Sequence, residues 1–146
     1  MVALRLVREG SVTYRARPRC NSVPEAAAAA VELLGDEPNE AMAVLLLDAK
    51  HRLLGASVVA RGMLSEVHCE PRQVFAPALL ANAAAVIVAH NHPSGDPTPS
   101  PPDFDITRRF VEAGRILGVG VLDHLIIGTD GACLSLRSKG CDFDDA

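Results

Sequence analysis

Val86-Ile87-Val88-Ala89-His90-Asn91-His92-Pro93-Ser94-Gly95-Asp96-Pro97-Thr98-Pro99-Ser100-Pro101-Pro102-Asp103 is the stretch on which the fold turns. Its first four residues form a short β-branched apolar run of the kind that makes a buried strand. If the extended geometry persists through His92, then His90 and His92, two residues apart, project to the same side of that strand. Pro93, Gly95, Pro97 and Pro99 cannot continue a strand and predict an ordered loop. From Ser100 the pattern turns helical. Pro101 suits a first turn, and Phe104, Thr107, Arg108, Val111, Ile116 and Leu117 give a broadly helical continuation. Asp103 therefore falls in the first turn of a helix, where the loop can fold it back toward the two histidines.

Working outward gives a chain of mixed α and β elements. Val2 to Arg8 is an expected edge strand. Asn21-Ser22 with Pro24-Glu25 opens a helix that runs through the alanines to Leu34 and ends at Gly35. Glu40 to Asp48 and Arg52 to Ala60 form a hairpin turned at Asp48-Ala49-Lys50-His51. A second helix runs from Glu70 or Pro71 to Ala83, and Ala84 to Ala89 is the strand that leads into the loop. The third helix, Asp103 to Leu117, is closed by Gly118. Val119 to Gly128 and Ala132 to Leu136 complete the sheet around Thr129-Asp130-Gly131.

Two imidazoles and a carboxylate around one loop are the donor set of a catalytic zinc site, which draws about three ligands from protein and leaves a position open. His90, His92 and Asp103 are the three candidates. Ser100-x-x-Asp103 also reads as a capping box, and a helix cap alone would account for both of those residues. It would not account for a pair of histidines at a strand end, where each buried ring nitrogen needs a partner. Capping and ligation are compatible.

His90-x-His92-Pro93 followed by Ser100-x-x-Asp103 resembles the signature of the JAMM (MPN+) zinc metalloproteases, and the loop with Asp103 and Thr107 resembles the RadC branch of that group. Glu40 opening an apolar strand, Gly62, Pro71-Arg72-x-Val74-Phe75, Ala83-Ala84-Ala85 and Leu122-Asp123-His124-x-Ile126-Ile127-Gly128 extend the likeness over roughly residues 22–140. The resemblance implies a cytidine-deaminase-like α/β/α sandwich with a mixed sheet, formed by a single domain over residues 1–146 in which 1–21 are an extension or edge strand. RadC proteins carry an additional N-terminal helical region resembling a helix-hairpin-helix module, which this chain is expected to lack. The resemblance also implies one Zn2+ per protomer on His90, His92 and Asp103, and a zinc-activated water with Glu40 as general base. Ser100 would donate to the oxyanion, and the reaction would be hydrolysis of an amide or isopeptide bond in a peptide or protein substrate. By itself, a glutamate that begins a strand is an ordinary solvated charge. Met42 stands where the family often has an aromatic residue.

Several neighbours have two readings. Asp96 either orients a ligand histidine or closes an Asx turn. His124 is either a further site residue or locally hydrogen-bonded. His51 and His68 are expected at the surface, and Arg72 is expected to hold a loop or helix terminus.

The chain has 146 residues, enough for one core. Its hydrophobic content is 49%, with one Tyr and no Trp, so the core must be built from Ala, Val, Leu and Ile. A formal charge of −4 argues against a general phosphate-binding surface. Arg5, Arg8, Arg15, Arg17 and Arg19 leave a local basic face open, and any DNA association is expected to be weak. Cys20, Cys69, Cys133 and Cys141 form no Cys-x-x-Cys pair, and no signal peptide is expected, which together predict reduced thiols in a cytoplasmic protein. Leu79 to Ala89 is too short to span a bilayer, so no membrane association is expected. Nothing fixes the oligomeric state. Two competitors to a hydrolase are a nucleic-acid-processing or DNA-repair-associated protein, from the RadC label, and a non-catalytic MPN-type interaction module. Such modules typically lose metal ligands, which this sequence keeps. A zinc deaminase would need His-x-Glu and Pro-Cys-x-x-Cys, and neither occurs.

Overall fold

A computed structural model describes residues 2–3, 19–63 and 69–144. The edge strand expected over Val2 to Arg8, His68 and the arginines at 5, 8, 15 and 17 lie wholly or largely outside them. The elements run α1 (Val23–Leu34), β1 (Glu40–Leu47), β2 (Leu53–Met63), α2 (Pro71–Leu80), β3 (Ala85–Asn91), α3 (Pro101–Leu117), β4 (Gly120–Ile127) and β5 (Cys133–Ser135), then a 3-10 turn over Arg137–Lys139. The five strands form one mixed sheet in the order β2-β1-β3-β4-β5. Among the described strands only β3 and β4 are parallel, and α3 supplies the crossover that such a pair requires.

β1 and β3 are central, and every residue of both is buried. Their side chains alternate between two cores. Ala41, Ala43, Leu45, Leu47, Ala85, Ile87 and Ala89 pack under α1, while Met42, Val44, Leu46, Val86 and Val88 pack under α2 and α3. The result is the α/β/α layering expected of a sheet buried on both faces. α1 presents Ala26, Ala30 and Leu34 to the sheet, and its small alanines let the helix lie close. Ser22 caps it by accepting from Glu25 N–H at 3.4 Å, and Glu25 answers by accepting from Asn21 N–H at 2.7 Å.

Several element ends differ from the sequence expectation. α2 stops at Leu80 rather than Ala83, because Asn82 takes a left-handed conformation (φ 54°) and Ala83 N–H returns to Ala78 C=O. Its first turn is closed by Gln73, which accepts from Glu70 N–H (2.8 Å) and donates to Val59 C=O (3.2 Å). Arg72, expected to hold such a terminus, is exposed. β2 runs on to Met63, three residues past Ala60, paired along β1. β3 extends to Asn91, and His92 N–H continues the ladder to Ile127 C=O at 2.8 Å. His51 is partly exposed and occupies the β1–β2 turn with φ 59°. α3 begins at Pro101 and ends on Gly118 (φ 74°).

Candidate metal centre

The even-numbered face of β3 turns His90 toward α3, and the antiparallel register Met42↔His90 brings the first residue of β1, Glu40, level with His92. Pro93 to Ser100 then folds back, so that Asp103 in the first turn of α3 meets both imidazoles. Residues more than fifty positions apart thus share one point. Glu40, His90, His92 and Asp103 each offer a ligand atom within 4.8 Å of the others. His90 Nε2 lies 3.3 Å from Asp103 Oδ1, His92 Nε2 lies 3.5 Å from Asp103 Oδ2, and the two Nε2 atoms are 3.0 Å apart. Ligands at about 2.0–2.1 Å from a tetrahedral zinc are separated by about 3.3 Å, and the separations among these three side chains are of that size. Glu40 Oε1 stands farther off, 3.6 Å from His90 Nε2 and 4.0 Å from His92 Nε2.

The surroundings set the charge of each group. Burial alone would raise the Asp103 carboxyl, but the His90 and His92 imidazoles beside it and the bond from Ser100 N–H (2.8 Å) outweigh it and hold the group well below the usual carboxylate range. Burial pushes the Glu40 carboxyl up, Asp103 adds to the rise, and the two imidazoles oppose it. The hydrogen bond to Asp103 raises His92 against its partial burial. His124, wholly buried, is held well below the ordinary histidine value by burial and by His90 and His92 nearby.

Ser100 is the N-cap of α3, half-buried, and its main chain forms the cap with Asp103. Asp96 does two things at once. Its carboxylate accepts from Thr98 N–H and Thr98 O–H in an Asx turn (3.0 and 2.6 Å), while its main-chain carbonyl accepts from His92 Nδ1 at 2.9 Å. The loop therefore orients His92 through its backbone, leaving Nε2 for a metal. Two residues stand out that sequence reasoning left aside or left ambiguous. Asn91, between the histidines and pointing to the other face, accepts from Ala41 N–H at 2.7 Å and donates to Asn39 C=O at 3.1 Å, which holds the start of β1 and hence Glu40. His124 lies beneath His90, with its Nε2 2.6 Å from His90 Nδ1. Among the described residues this is the cluster of His, Cys, Asp and Glu suited to a metal. The four cysteines are free thiols, with Cys69 pushed up to about 11 by burial. Among the described residues no helix is long and apolar enough to cross a membrane.

Residues 20–141 match the family model of the RadC-like JAB domain. The chain is similar to a UPF0758 protein of Trichlorobacter lovleyi, 53% identical over 107 residues, covering 73% of this chain and 46% of that protein. It is likewise similar to one of Syntrophotalea carbinolica, 50% identical over 109 residues (75% of this chain, 48% of the relative). UPF0758 protein tlr1707 of Thermosynechococcus vestitus is 40% identical over 138 residues (92% and 55%). The chain thus spans about half the length of the curated relatives it matches.

Proposed function

The chain belongs to the family of RadC-like JAB domains, and from that premise we propose that it is a zinc-dependent hydrolase of amide or isopeptide bonds in peptide or protein substrates, working in the reducing cytoplasm. The observation that carries this reading is the triangle of His90, His92 and Asp103 with a buried carboxylate, Glu40, beside it. The three triangle residues would hold the ion. When bound, zinc supplies a Lewis acid and makes water a competent nucleophile near neutral pH.

Glu40 takes the proton. A carboxyl raised by burial lies closer to the operating pH, so it can accept a proton from the attacking water and pass it to the leaving amine. Water oxygen bonds to the carbonyl carbon, the C–N bond breaks, and the proton ends on the departing nitrogen. Ser100, placed by the α3 cap, donates its hydroxyl to the carbonyl oxygen as charge develops there. Asn91 keeps Glu40 in place through the main chain of residues 39–41.

The test combines metal analysis with a cleavage panel of peptides, isopeptides, and single- and double-stranded DNA. Wild type should bind about one zinc per chain. Glu40→Gln should keep that zinc and lose roughly 10²- to 10⁴-fold of amide hydrolysis. Full zinc occupancy in a His90→Ala, His92→Ala variant sinks the assignment. Metal-dependent DNA cleavage that vanishes in Glu40→Gln, with no amide hydrolysis, favours a nucleic-acid-processing role instead.

A further inference from the structure

We propose that Thr107 and His124, neither of which reaches the metal position, act as positioning residues that fix the tautomer of His90 and so keep its Nε2 lone pair aimed at the ion. The inference rests on the metal reading above and assigns to two further side chains the work of keeping one ligand competent.

The direction of each proton follows from what the partners can do. Thr107 Oγ1 lies 2.6 Å from Asp103 C=O and 2.6 Å from His124 Nδ1. A hydroxyl has one proton and a carbonyl can only accept, so the Thr107 proton goes to Asp103. The hydroxyl oxygen must then accept from His124, which places a proton on His124 Nδ1. With Nδ1 protonated, the neutral ring has Nε2 as its acceptor, and Nε2 lies 2.6 Å from His90 Nδ1. That contact needs a donor, so the proton is on His90 Nδ1. The remaining nitrogen of His90, Nε2, is the one 3.3 Å from Asp103 Oδ1 and 3.0 Å from His92 Nε2.

His90, Thr107 and His124 are each fully buried, so their polar atoms must find partners within the chain. The run of bonds begins on the main chain of Asp103 and ends on the imidazole that shares the metal position with the Asp103 carboxylate. His92 is oriented more simply, by one bond to the Asp96 carbonyl.

The sheet is shaped to allow this. Between Val86↔Val121 and Ile87↔Asp123 the parallel register of β3 and β4 slips by one residue. Val121 packs with the α2–α3 core and Leu122 against the α1 core, while Leu125 returns to the α1 side and Ile126 to the α2–α3 side. The extra residue shifts the phase of β4, and His124 lands on the site's face. Without it, His124 would point away from His90.

Thr107→Val keeps the shape and removes the acceptor. His124 Nδ1–H would then face a methyl group, and moving the proton to Nε2 restores a bond by donating to His90 Nδ1. That transfer forces the His90 proton onto Nε2, toward the metal position. Long-range ¹H–¹⁵N correlation of the ring nitrogens reads these states directly. Metal-free and zinc-loaded wild type should show Nδ1 protonated on both His90 and His124, and Thr107→Ser should match. Thr107→Val should move the His124 proton to Nε2 and weaken zinc, measured by chelator competition, by roughly 10- to 100-fold, as loss of a hydrogen-bond partner behind a ligand typically does.

A Thr107→Val chain that binds zinc as tightly as wild type overturns the positioning role while leaving the metal assignment standing. Wild type that takes up no zinc removes both. If Thr107→Val does not fold, the wild-type spectrum decides: Nδ1 protonated on both rings supports the proposal, and a His124 protonated at Nε2 overturns it.

Discussion

Asn91→Ala is the sharpest test of how the site is held, because Asn91 lies between two metal-binding candidates and touches neither the ion position nor the substrate. The residue is 5% exposed, and its side chain makes two good bonds, accepting from Ala41 N–H (2.7 Å) and donating to Asn39 C=O (3.1 Å). Each contributes about 1 kcal/mol net, and leaving the buried Ala41 N–H without a partner costs about 1–3 kcal/mol. These terms overlap, so the expected loss is about 2–4 kcal/mol, a large share of the roughly 5–15 kcal/mol available to a domain. For a chain of this size that lowers Tm by roughly 6–15 °C. Urea unfolding with an unchanged m-value is the direct assay. Asn91→Asp, nearly the same shape, should not rescue the loss, since it keeps the acceptor but turns an oxygen toward the carbonyls of Asn39 and Glu37. Zinc stoichiometry should survive in both variants where they remain folded, while hydrolysis falls because Glu40 loses its support. A stability loss below about 0.5 kcal/mol, or an Asn91→Asp chain as stable as wild type, refutes this account of the start of β1.

Zinc affinity should depend on pH through His92, whose protonated form is favoured first by its bond to Asp103. A metal needs the neutral ring, so competition titrations should show affinity flat above the raised pKa of His92 and falling about tenfold per pH unit below it. The same shift has a consequence for the metal-free chain. The His92 contribution to stability is fully present below the ordinary value near 6.5 and is lost as pH rises through the folded value, so thermal scans should show that component declining on the alkaline side. Gly128→Ala should disturb the loop from beneath, because its Cβ would collide with Gly95 C=O and stand 3.2 Å from Pro97 Cδ. Displacing the segment whose Asp96 carbonyl orients His92 should weaken zinc by about tenfold or more in a chain that still folds. Gly131→Ala, where the space is open but φ is +77°, should cost about 1–2 kcal/mol of stability and leave zinc affinity unchanged.

The parts of this molecule that were legible in its sequence are those whose geometry is local. Period two in a β-branched run places His90 and His92 on one face, and a proline-rich loop followed by Ser100-x-x-Asp103 places a carboxylate at a helix start. Both follow from chain geometry over a few residues, and strand β3 in fact carries the spacing to Asn91 and its ladder to His92. Glu40 was legible only through family resemblance, because nothing local distinguishes a strand-opening glutamate from a solvated one. Its role depends on the β1–β3 register, which brings residue 40 level with residue 92. Element ends went astray where one residue's conformation decided them: Asn82 ends α2 by turning left-handed in a stretch whose composition favours helix.

His124 shows the limit most clearly. Alternation read along Val121 to Ile127 assigns faces on the assumption of an unbroken period, and the one-residue slip at Leu122 inverts that assignment for everything after it. A slip of this kind is set by pairing with β3 and by packing against two helices. It leaves no mark on composition or spacing, so a histidine seventeen residues from Thr107 and thirty-four from His90 reads as a local core residue. The same slip supplies a reason for a buried histidine at that position at all. A wholly buried imidazole is an expensive way to fill space unless both nitrogens are bonded, and here both are, one to a hydroxyl that passes its proton to Asp103 and the other to a ring that reaches the metal position. The irregularity in the sheet and the polar run through the core are therefore one feature: the strand bends out of phase where a side chain is needed behind His90.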